Sequence, residues 1–451
     1  MYRTLFLLLC SGLLPFLVNA QLQVSFPVSR VVLQRNSSNE AIIHITGNFS
    51  KSVDRIEARV QARDGMGTST DWKTIQTNPG GGIYAGDLTI RGGWYDLQVR
   101  GMYGDQLVNS TVVERVGVGE VFIIAGQSNA QGVYDDMASA SDDRVNCLNY
   151  FDPTESQADP SIDVFNRFTH LDQGTRIAPR GLGTWCWGRL GDLLTQRLNV
   201  PILFFNAAYT GTAIRNWRES IERGRAESIY VPGTFYADGQ PYANLRQAIQ
   251  FYSHMLGVRA ILWHQGEAEN FVHTSYESYV NDLGFIINRS RQDSNKNIAW
   301  MVARASYTGD SAGGRAEVIA AQNQVITSIP NVYAGPSTDG IQIPRQRPPR
   351  TEITYDDVHF DVNGLQEVAN AWNNSLNDSF FASSIPQPPA QAPTMSVACS
   401  TTNQLSISVN GSFASVNWNS GDTGSTIVKG GGRYQAKIKD GTGNVLISPL
   451  L

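Results

Sequence analysis

The run Val121-Phe122-Ile123-Ile124-Ala125, followed at once by Gly126-Gln127-Ser128-Asn129, constrains this chain more than any other stretch. Val121 to Ile124 are large and apolar, and three of the four are β-branched, the signature of a buried strand. Gly126 opens a sharp turn, and Ser128 and Asn129 are both favoured at helix starts. A buried strand that breaks into a helix is a unit of a parallel sheet, and such sheets bind ligands at the carboxyl ends of their strands. Ser128 is therefore either a nucleophile aimed off a strand end or the cap of the next helix. The local pattern alone leaves both open.

Strands and helices alternate from residue 116 to about 380, which implies a parallel sheet with helices on both faces. After the first strand the periodicity predicts a helix over Trp185–Leu198, with Trp187, Leu190, Leu194 and Leu198 on one face. Strand Ile202–Phe205, helix Tyr242–Leu256 and strand Val258–Trp263 come next. Helix Tyr276–Ile287, strand Ile298–Val302, helix Ala316–Ile326, strand Val332–Ala334 and a helix from about Gly364 to Leu376 complete the series. Five strands with these crossovers predict an α/β fold, a flavodoxin-like three-layer sandwich.

The flanks read differently. Residues 21–115 hold short β-rich runs (Ala41–Ile45, Arg55–Val60, Gly82–Ile90, Trp94–Val99) divided by Gly, Asn and Asp, as in a β-sandwich. This module is read as a support domain, with sugar binding as the alternative. Residues 381–394 form a Pro-rich linker, and 395–451 are again short β runs, enough for a partial Ig-like module. At the other end, Arg3, the apolar run Leu5–Val18 and Val18-Asn19-Ala20 form a leader over residues 1–20. The expected protein is secreted or periplasmic.

A formal charge of −5 is spread along the chain without a clustered basic face, so nucleic acid is not an expected partner. The one dense basic patch, Pro344–Arg350, reads as a solvated loop. No apolar stretch beyond the leader is long enough for a membrane span. Three cysteines follow the leader, Cys147, Cys186 and Cys399, and a Cys147–Cys186 disulfide is allowed by an oxidising compartment but not fixed by spacing. There is no CxxC or HExxH, and neither a metal nor a cofactor is expected.

Four segments at strand ends, or just before the last helix, carry polar groups that ester hydrolysis uses. They are Gly126–Asn129, Asn206–Thr212, Trp263–Glu267 and Tyr355-Asp356-Asp357-Val358-His359-Phe360. The reaction needs a nucleophile, a base, a group that orients the base, and donors for the developing oxyanion. Ser128 is the hydroxyl at the head of the central strand. A His three residues after an Asp can donate one ring N–H to that carboxylate and present its other nitrogen outward. Gly211 can bring a backbone N–H close to a substrate, and Gln265 can offer a side-chain N–H.

The blocks Ala125-Gly126-Gln127-Ser128-Asn129, Trp263-His264-Gln265-Gly266-Glu267 and Asp356-x-x-His359 resemble the sialate O-acetylesterase and acetylxylan esterase group of SGNH hydrolases. Val32-Leu33-Gln34-Arg35 and Gly117–Val121 are similar to stretches that lead into that domain. The resemblance covers roughly residues 27–378. It implies Ser128 as nucleophile, His359 as base and Asp356 as its orienter. It also implies an oxyanion hole of the Ser128 and Gly211 N–H groups with the Gln265 amide. The wider SGNH pattern has Asn where this chain has Gln265. The stretch from Val416-Asn417-Trp418 to Lys439-Asp440 resembles Ig-like modules of secreted bacterial proteins.

The expected function is a secreted carbohydrate O-acetylesterase acting on an O-acetylated sugar or glycan, with sialic acid or acetylated xylan as substrate. A non-catalytic sugar-binding protein is the rival from another class. Arg215, Arg218 and Arg304 are candidates to hold an acidic sugar, and Trp217 or Trp263 to stack on one, although Trp263 ends a buried strand. His264 is the rival base. Glu267 reads either as a second carboxylate of a glycosidase pair or as a hydrogen-bonding support. The loop 218–241 carries Tyr230, Phe235 and Tyr236, which serve equally well to stack on sugars or to pack the loop down.

Overall fold

The computed structural model describes residues 22–133, 137–150, 162–309, 314–341, 358–401 and 403–451. The leader, Asp356, Asp357 and the basic Pro-rich patch lie outside them. The chain begins with β1 (Leu22–Phe26), β2 (Val32–Gln34), β3 (Glu40–Phe49), β4 (Arg55–Ala62), β5 (Lys73–Thr77), β6 (Ile83–Arg91), β7 (Gly93–Tyr103) and β8 (Gln106–Gly126). One antiparallel sheet is ordered β1-β3-β6, and β5, β4, β7 and the first half of β8 pair into another. Ile43, Ile45, Leu88 and Ile90 from the first sheet share a closed apolar core with Ile56, Val60, Leu97 and Val99 from the second.

β8 runs for 21 residues and belongs to two modules. From Gln106 to Val118 it pairs antiparallel with β7; from Glu120 onward it pairs parallel with strands of the second module. Arg115, at φ +59°, sits at an irregularity within the antiparallel half, between Val113 and Val116. The boundary expected at residues 115/116 therefore falls inside a continuous strand.

The second module contains α1 (Ser128–Gln131), β9 (Val145–Leu148), β10 (Phe168–His170), α2 (Trp187–Leu198), β11 (Ile202–Asn206), α3 (Ile214–Arg223) and α4 (Tyr242–Gln247). It continues with β12 (Ala260–His264), α5 (Ala268–Val272), α6 (Tyr276–Ser294), β13 (Ala299–Arg304), α7 (Ala316–Ser328), β14 (Val332–Ser337), α8 (Val362–Ser375) and α9 (Asp378–Ser383). The strand order is β10-β9-β11-β8-β12-β13-β14, parallel throughout except for β10 against β9. The fold is thus mixed α/β, with one large mixed sheet and smaller antiparallel sheets. Alternate residues of β8 feed two cores, as the pleat requires. Val121, Ile123 and Ala125 pack with Trp217, Leu245, Leu283 and Val318, whereas Phe122 and Ile124 pack with Trp187, Leu190, Leu365 and Trp372.

Several elements escaped the sequence reading, among them β9, β10, α3, α5 and α9. β9 has only four residues, Val-Asn-Cys-Leu, too few to display a period. α3 lies in a polar stretch and buries Ile214, Asn216, Trp217 and Ser220. The helix expected over Tyr242–Leu256 is shorter: α4 ends at Gln247 and a π-type turn covers Ala248–Tyr252. The allowed disulfide is absent, because Cys147 and Cys186 are both free and buried, and burial pushes both thiols up.

Beyond α9, β15 (Met395–Thr401), β16 (Gln404–Val409), β17 (Ser415–Trp418), β18 (Thr426–Lys429), β19 (Ala436–Lys439) and β20 (Val445–Ile447) form two three-stranded sheets. Ile407, Val409, Trp418 and Ile438 fill the space between them. The Pro-rich stretch is pinned to the second module: Gln387 and Val258 exchange backbone bonds of 3.0 and 2.9 Å, and Ala390 N–H reaches His254 O at 3.1 Å. The C-terminal sheets dock alongside, with Gln250 Nε2 donating to Thr442 O at 2.9 Å and Asn444 Nδ2 to Ser294 O at 3.2 Å. Among the described residues no helix is long and apolar enough to cross a membrane.

Candidate active site

The strand order places β8 between β11 and β12, so the chain leaves β8 with one later crossover on each side. This reversal opens a crevice at the carboxyl end of β8. At that end Gly126 has φ +129°, and a Cβ there would lie 2.0 Å from His264 O on β12. Only glycine lets the two strands stay paired while the chain turns. Gln127 then takes an extended conformation and Ser128 becomes the first residue of α1.

The Ser128 hydroxyl lies 2.7 Å from Nε2 of His359, across 231 positions of sequence. Ser128 is 4 % exposed, so the pair is sheltered while remaining in contact with the crevice. His359 stands just before α8, whose N-cap Asp361 accepts the Gly364 N–H at 2.7 Å and fixes where the helix starts. His264, the rival base, lies inside the protein beside Phe360 and Trp372, with Nε2 3.3 Å from Glu267 Oε1. It does not reach Ser128. Asp356 and Asp357 are outside the described residues.

A four-residue helix leaves its last carbonyls without helical partners; Gly132 N–H reaches Ser128 O at 2.9 Å, and α1 borrows its other donors. Trp185 Nε1 donates to Asn129 O at 2.8 Å, Trp187 Nε1 to Ala130 O at 2.9 Å, and Asn206 Nδ2 to Ala130 O at 2.9 Å. The Asn129 amide bridges two elements: its Nδ2 donates to Glu267 Oε1 at 2.8 Å and to Val358 O, next to His359, at 3.1 Å. Sequence reasoning missed this bridge, because nothing local says which buried carboxylate an Asn will find. It also settles the reading of Glu267, which is fully buried against Asn129 and His264 rather than set as one of two facing carboxylates.

The loop after β11 is held to the same turn. Tyr209 N–H donates to Gly126 O at 2.9 Å and Thr210 N–H to Gln131 Oε1 at 2.7 Å. Gly211 has φ +71°, and its carbonyl accepts the Tyr236 hydroxyl. Its N–H, like that of Ser128, bonds to nothing among the described residues.

The loop after β12 is closed instead. Gln265 is fully buried, and its Nε2 donates to Glu269 Oε1 and, at 3.3 Å, to Gln127 Oε1. Glu269 also takes Ile214 N–H at 2.7 Å and the Thr274 hydroxyl; burial pushes its carboxyl up, against those donors. The expectation that the Gln265 amide faces the oxyanion is corrected here, because a buried carboxylate has claimed that donor. Gln127 Oε1 likewise caps Gly266 and Ala268 N–H groups, each at 3.2 Å.

The expected sugar contacts divide. Trp217 is fully buried, edge-on to Trp263 at 5.0 Å, and its Nε1 donates to Thr212 Oγ1 at 3.2 Å. Neither indole can stack on a ligand, and Trp217 is corrected to core. Arg218 is committed to Glu222 and Asp282, each at 3.0 Å. Arg215 is exposed on α3 and close enough to Tyr236 to oppose the rise that burial imposes on that phenol. Arg304 ends β13 half-buried, and burial pushes its guanidinium down.

The sequence model of the family described as "Carbohydrate esterase, sialic acid-specific acetylesterase" matches residues 118–376. A carbohydrate acetylesterase from Xanthomonas citri has a similar structure at 15 % identity, covering 94 % of this chain and 97 % of that one, with a TM-score of 0.47. A protein from Arabidopsis thaliana is 17 % identical over 58 % of this chain and 98 % of its own, with a TM-score of 0.36. A family two carbohydrate esterase from Cellvibrio japonicus is 11 % identical over 81 % and 96 %, with a TM-score of 0.30. No curated protein matches.

Proposed function

The chain belongs to the sialic acid-specific acetylesterase family of carbohydrate esterases and is a carboxylic ester hydrolase, and we propose that it releases acetate from O-acetylated sialic acids by a serine mechanism. The observation that carries the mechanism is the 2.7 Å bond between Ser128 Oγ and His359 Nε2. In this reading Ser128 attacks the acetyl carbonyl while His359 takes its proton. The Ser128 and Gly211 N–H groups receive the charge that builds on the carbonyl oxygen. The C–O bond to the sugar then breaks, His359 returns the proton to the leaving sugar oxygen, and the acetyl group remains on Ser128 as an ester. Water attacks that ester as His359 takes its proton, the bond from Ser128 Oγ to the acetyl carbon breaks, His359 returns the proton to Oγ, and acetate leaves. Asp356, three residues before His359, is the proposed orienter of the imidazole.

Arg215 and Arg304 are the proposed partners of the sialate carboxylate, since a guanidinium pairs a carboxylate through two parallel bonds. The same reading takes the parallel sheet with its helices as a flavodoxin-like three-layer SGNH domain. The N-terminal strands form its β-sandwich support and the C-terminal sheets a partial Ig-like module, and export depends on the leader of residues 1–20. Acetate release from O-acetylated N-acetylneuraminic acid and from acetylated xylan, measured side by side, tests the proposal. The parent enzyme should act on the sialic ester, and Ser128→Ala should lose on the order of 10⁴-fold or more in kcat with its fold intact. An active Ser128→Ala enzyme overturns the mechanism; preference for xylan overturns the substrate.

A further inference from the structure

Two aromatic rings stand in the open beside the oxyanion donors. Tyr230, in the loop after α3, is 54 % exposed, and Phe271, on α5, is 58 % exposed. They come from separate elements yet meet, with centroids 5.0 Å apart and planes at 38°. Tyr230 adjoins the site: a Cβ placed on Gly211 would sit 3.5 Å from its ring. The loop that carries it is held by its own bonds. Ser228 N–H donates to Thr234 O at 2.8 Å, Gly233 N–H to Glu227 Oε1 at 2.7 Å, and Asn216 Nδ2 to Glu227 O at 2.8 Å. The other aromatics of this loop are spent otherwise. Tyr236 bonds Gly211 O and packs edge-on to Tyr209, and Phe235 lies under the Arg225 guanidinium at 4.0 Å.

We propose that Tyr230 and Phe271 form the floor on which the acetylated sugar ring rests, with its ester carbonyl at the Ser128 and Gly211 N–H groups. The identity of this ligand rests on the esterase reading above. An acetyl methyl is far too small to cover two rings, so the pair serves the alcohol side of the ester. A pyranose presents a face of C–H groups there, and ligand sites place aromatic faces against such apolar surface while a few polar groups fix orientation. Holding both rings in place before the ligand arrives removes an ordering cost from binding.

The test measures binding without turnover. Mono-O-acetylated N-acetylneuraminic acid is titrated calorimetrically into Ser128→Ala, and into the same protein carrying Tyr230→Ala or Phe271→Ala. Each truncation should raise Kd about tenfold, the scale of losing a well-placed aromatic contact, while Phe271→Tyr should keep the parent affinity. In the active enzyme the same truncations should lower, about tenfold, the ratio of kcat/KM on the sugar ester to that on ethyl acetate. An unchanged Kd in both truncations, or no binding to Ser128→Ala at all, overturns the platform. Ring-dependent binding in a protein that releases no acetate overturns the esterase reading and leaves the platform standing.

Discussion

One strand carries two opposite treatments of buried polarity. Near the start of the parallel half of β8, the fully buried Glu120 carboxylate is saturated. Arg259 reaches it through Nε at 2.7 Å and Nη2 at 2.9 Å, Arg35 through Nε at 2.7 Å, and Gln34 through Nε2 at 2.8 Å. Just past the other end, Ser128 and Gly211 keep N–H groups that nothing described accepts. A buried charge is tolerated only when every bond is made, so the Glu120 end is a fastener, tying β2, β8 and β12 together. Donors left open at a sheltered crevice lower the barrier for a reaction that builds charge there. The difference assigns roles: spent polarity holds the fold, and unspent polarity is available to a ligand.

If that division holds, the largest effect on stability comes from the closed end. Glu120→Ala leaves the buried Arg259 and the partly buried Arg35 guanidinium groups without a counter-charge and should cost about 3–5 kcal/mol by chemical denaturation. Turnover per folded molecule should stay close to the parent value. A crippled kcat in the folded variant would mean the two ends are coupled.

The open end should respond in the reverse sense. Gly211→Ala forces a Cβ into a conformation at φ +71°, which costs about 1–2 kcal/mol. Displacing its N–H from the oxyanion should lower kcat on the order of 10²-fold, with KM nearly unchanged. Steady-state kinetics beside a denaturation curve separate the two effects. A loss of stability without a loss of kcat would remove Gly211 from the hole.

Gln265 sharpens the comparison, because it stands at the open end yet is spent like a residue of the closed one. Gln265→Ala withdraws a donor from Glu269, so stability should fall by about 1–3 kcal/mol while kcat falls less than tenfold. A drop of 10²-fold or more would show that the amide turns toward substrate during the reaction.

Much of this was legible because it was local. The apolar run ending at Gly126 marked the central strand, and helical periods placed α2, α7 and α8 within a few residues, whereas α6 runs on to Ser294, well past its expected end at Ile287. The Ser128 and His359 pairing was legible from the residue types that ester hydrolysis requires together with the resemblance of their blocks to a known family, since no spacing links positions 231 residues apart. What stayed hidden depends on distant partners. Gln265 read as a donor because no spacing rule reveals that Glu269, four residues on, would claim its amide. Trp217 read as a stacking residue because α3 itself was not seen, and a helix there turns Ile214 and Trp217 inward. Phe271 was not singled out, since the ring it meets, Tyr230, is 41 positions away in the chain.

The smallest effect concerns the junction with the docked C-terminal sheets. His254 lies where the Pro-rich stretch is pinned, with a buried Nδ1 that has no hydrogen-bond partner among the described residues. Burial, reinforced by nearby Lys296 and opposed by Asp440, lowers its pKa to about 4. The unfolded chain, with an ordinary imidazole near 6.5, therefore holds more protons than the folded one between pH 6.5 and 4. Where the unfolded state holds more protons, stability falls as pH falls, and it recovers as pH rises through that window. Lys296, which burial lowers to about 8, follows the same sign at higher pH, between about 10.5 and 8, and is already fully expressed below it. The two groups can thus be read separately. At pH 5.5 the His254 contribution should be a loss of about 1 kcal/mol, and His254→Leu, which takes up no proton, should flatten the parent's decline below pH 6.5. Denaturation of both proteins at pH 7.5 and 5.5 gives the difference. A variant whose stability falls as steeply as the parent's would place the acid sensitivity elsewhere.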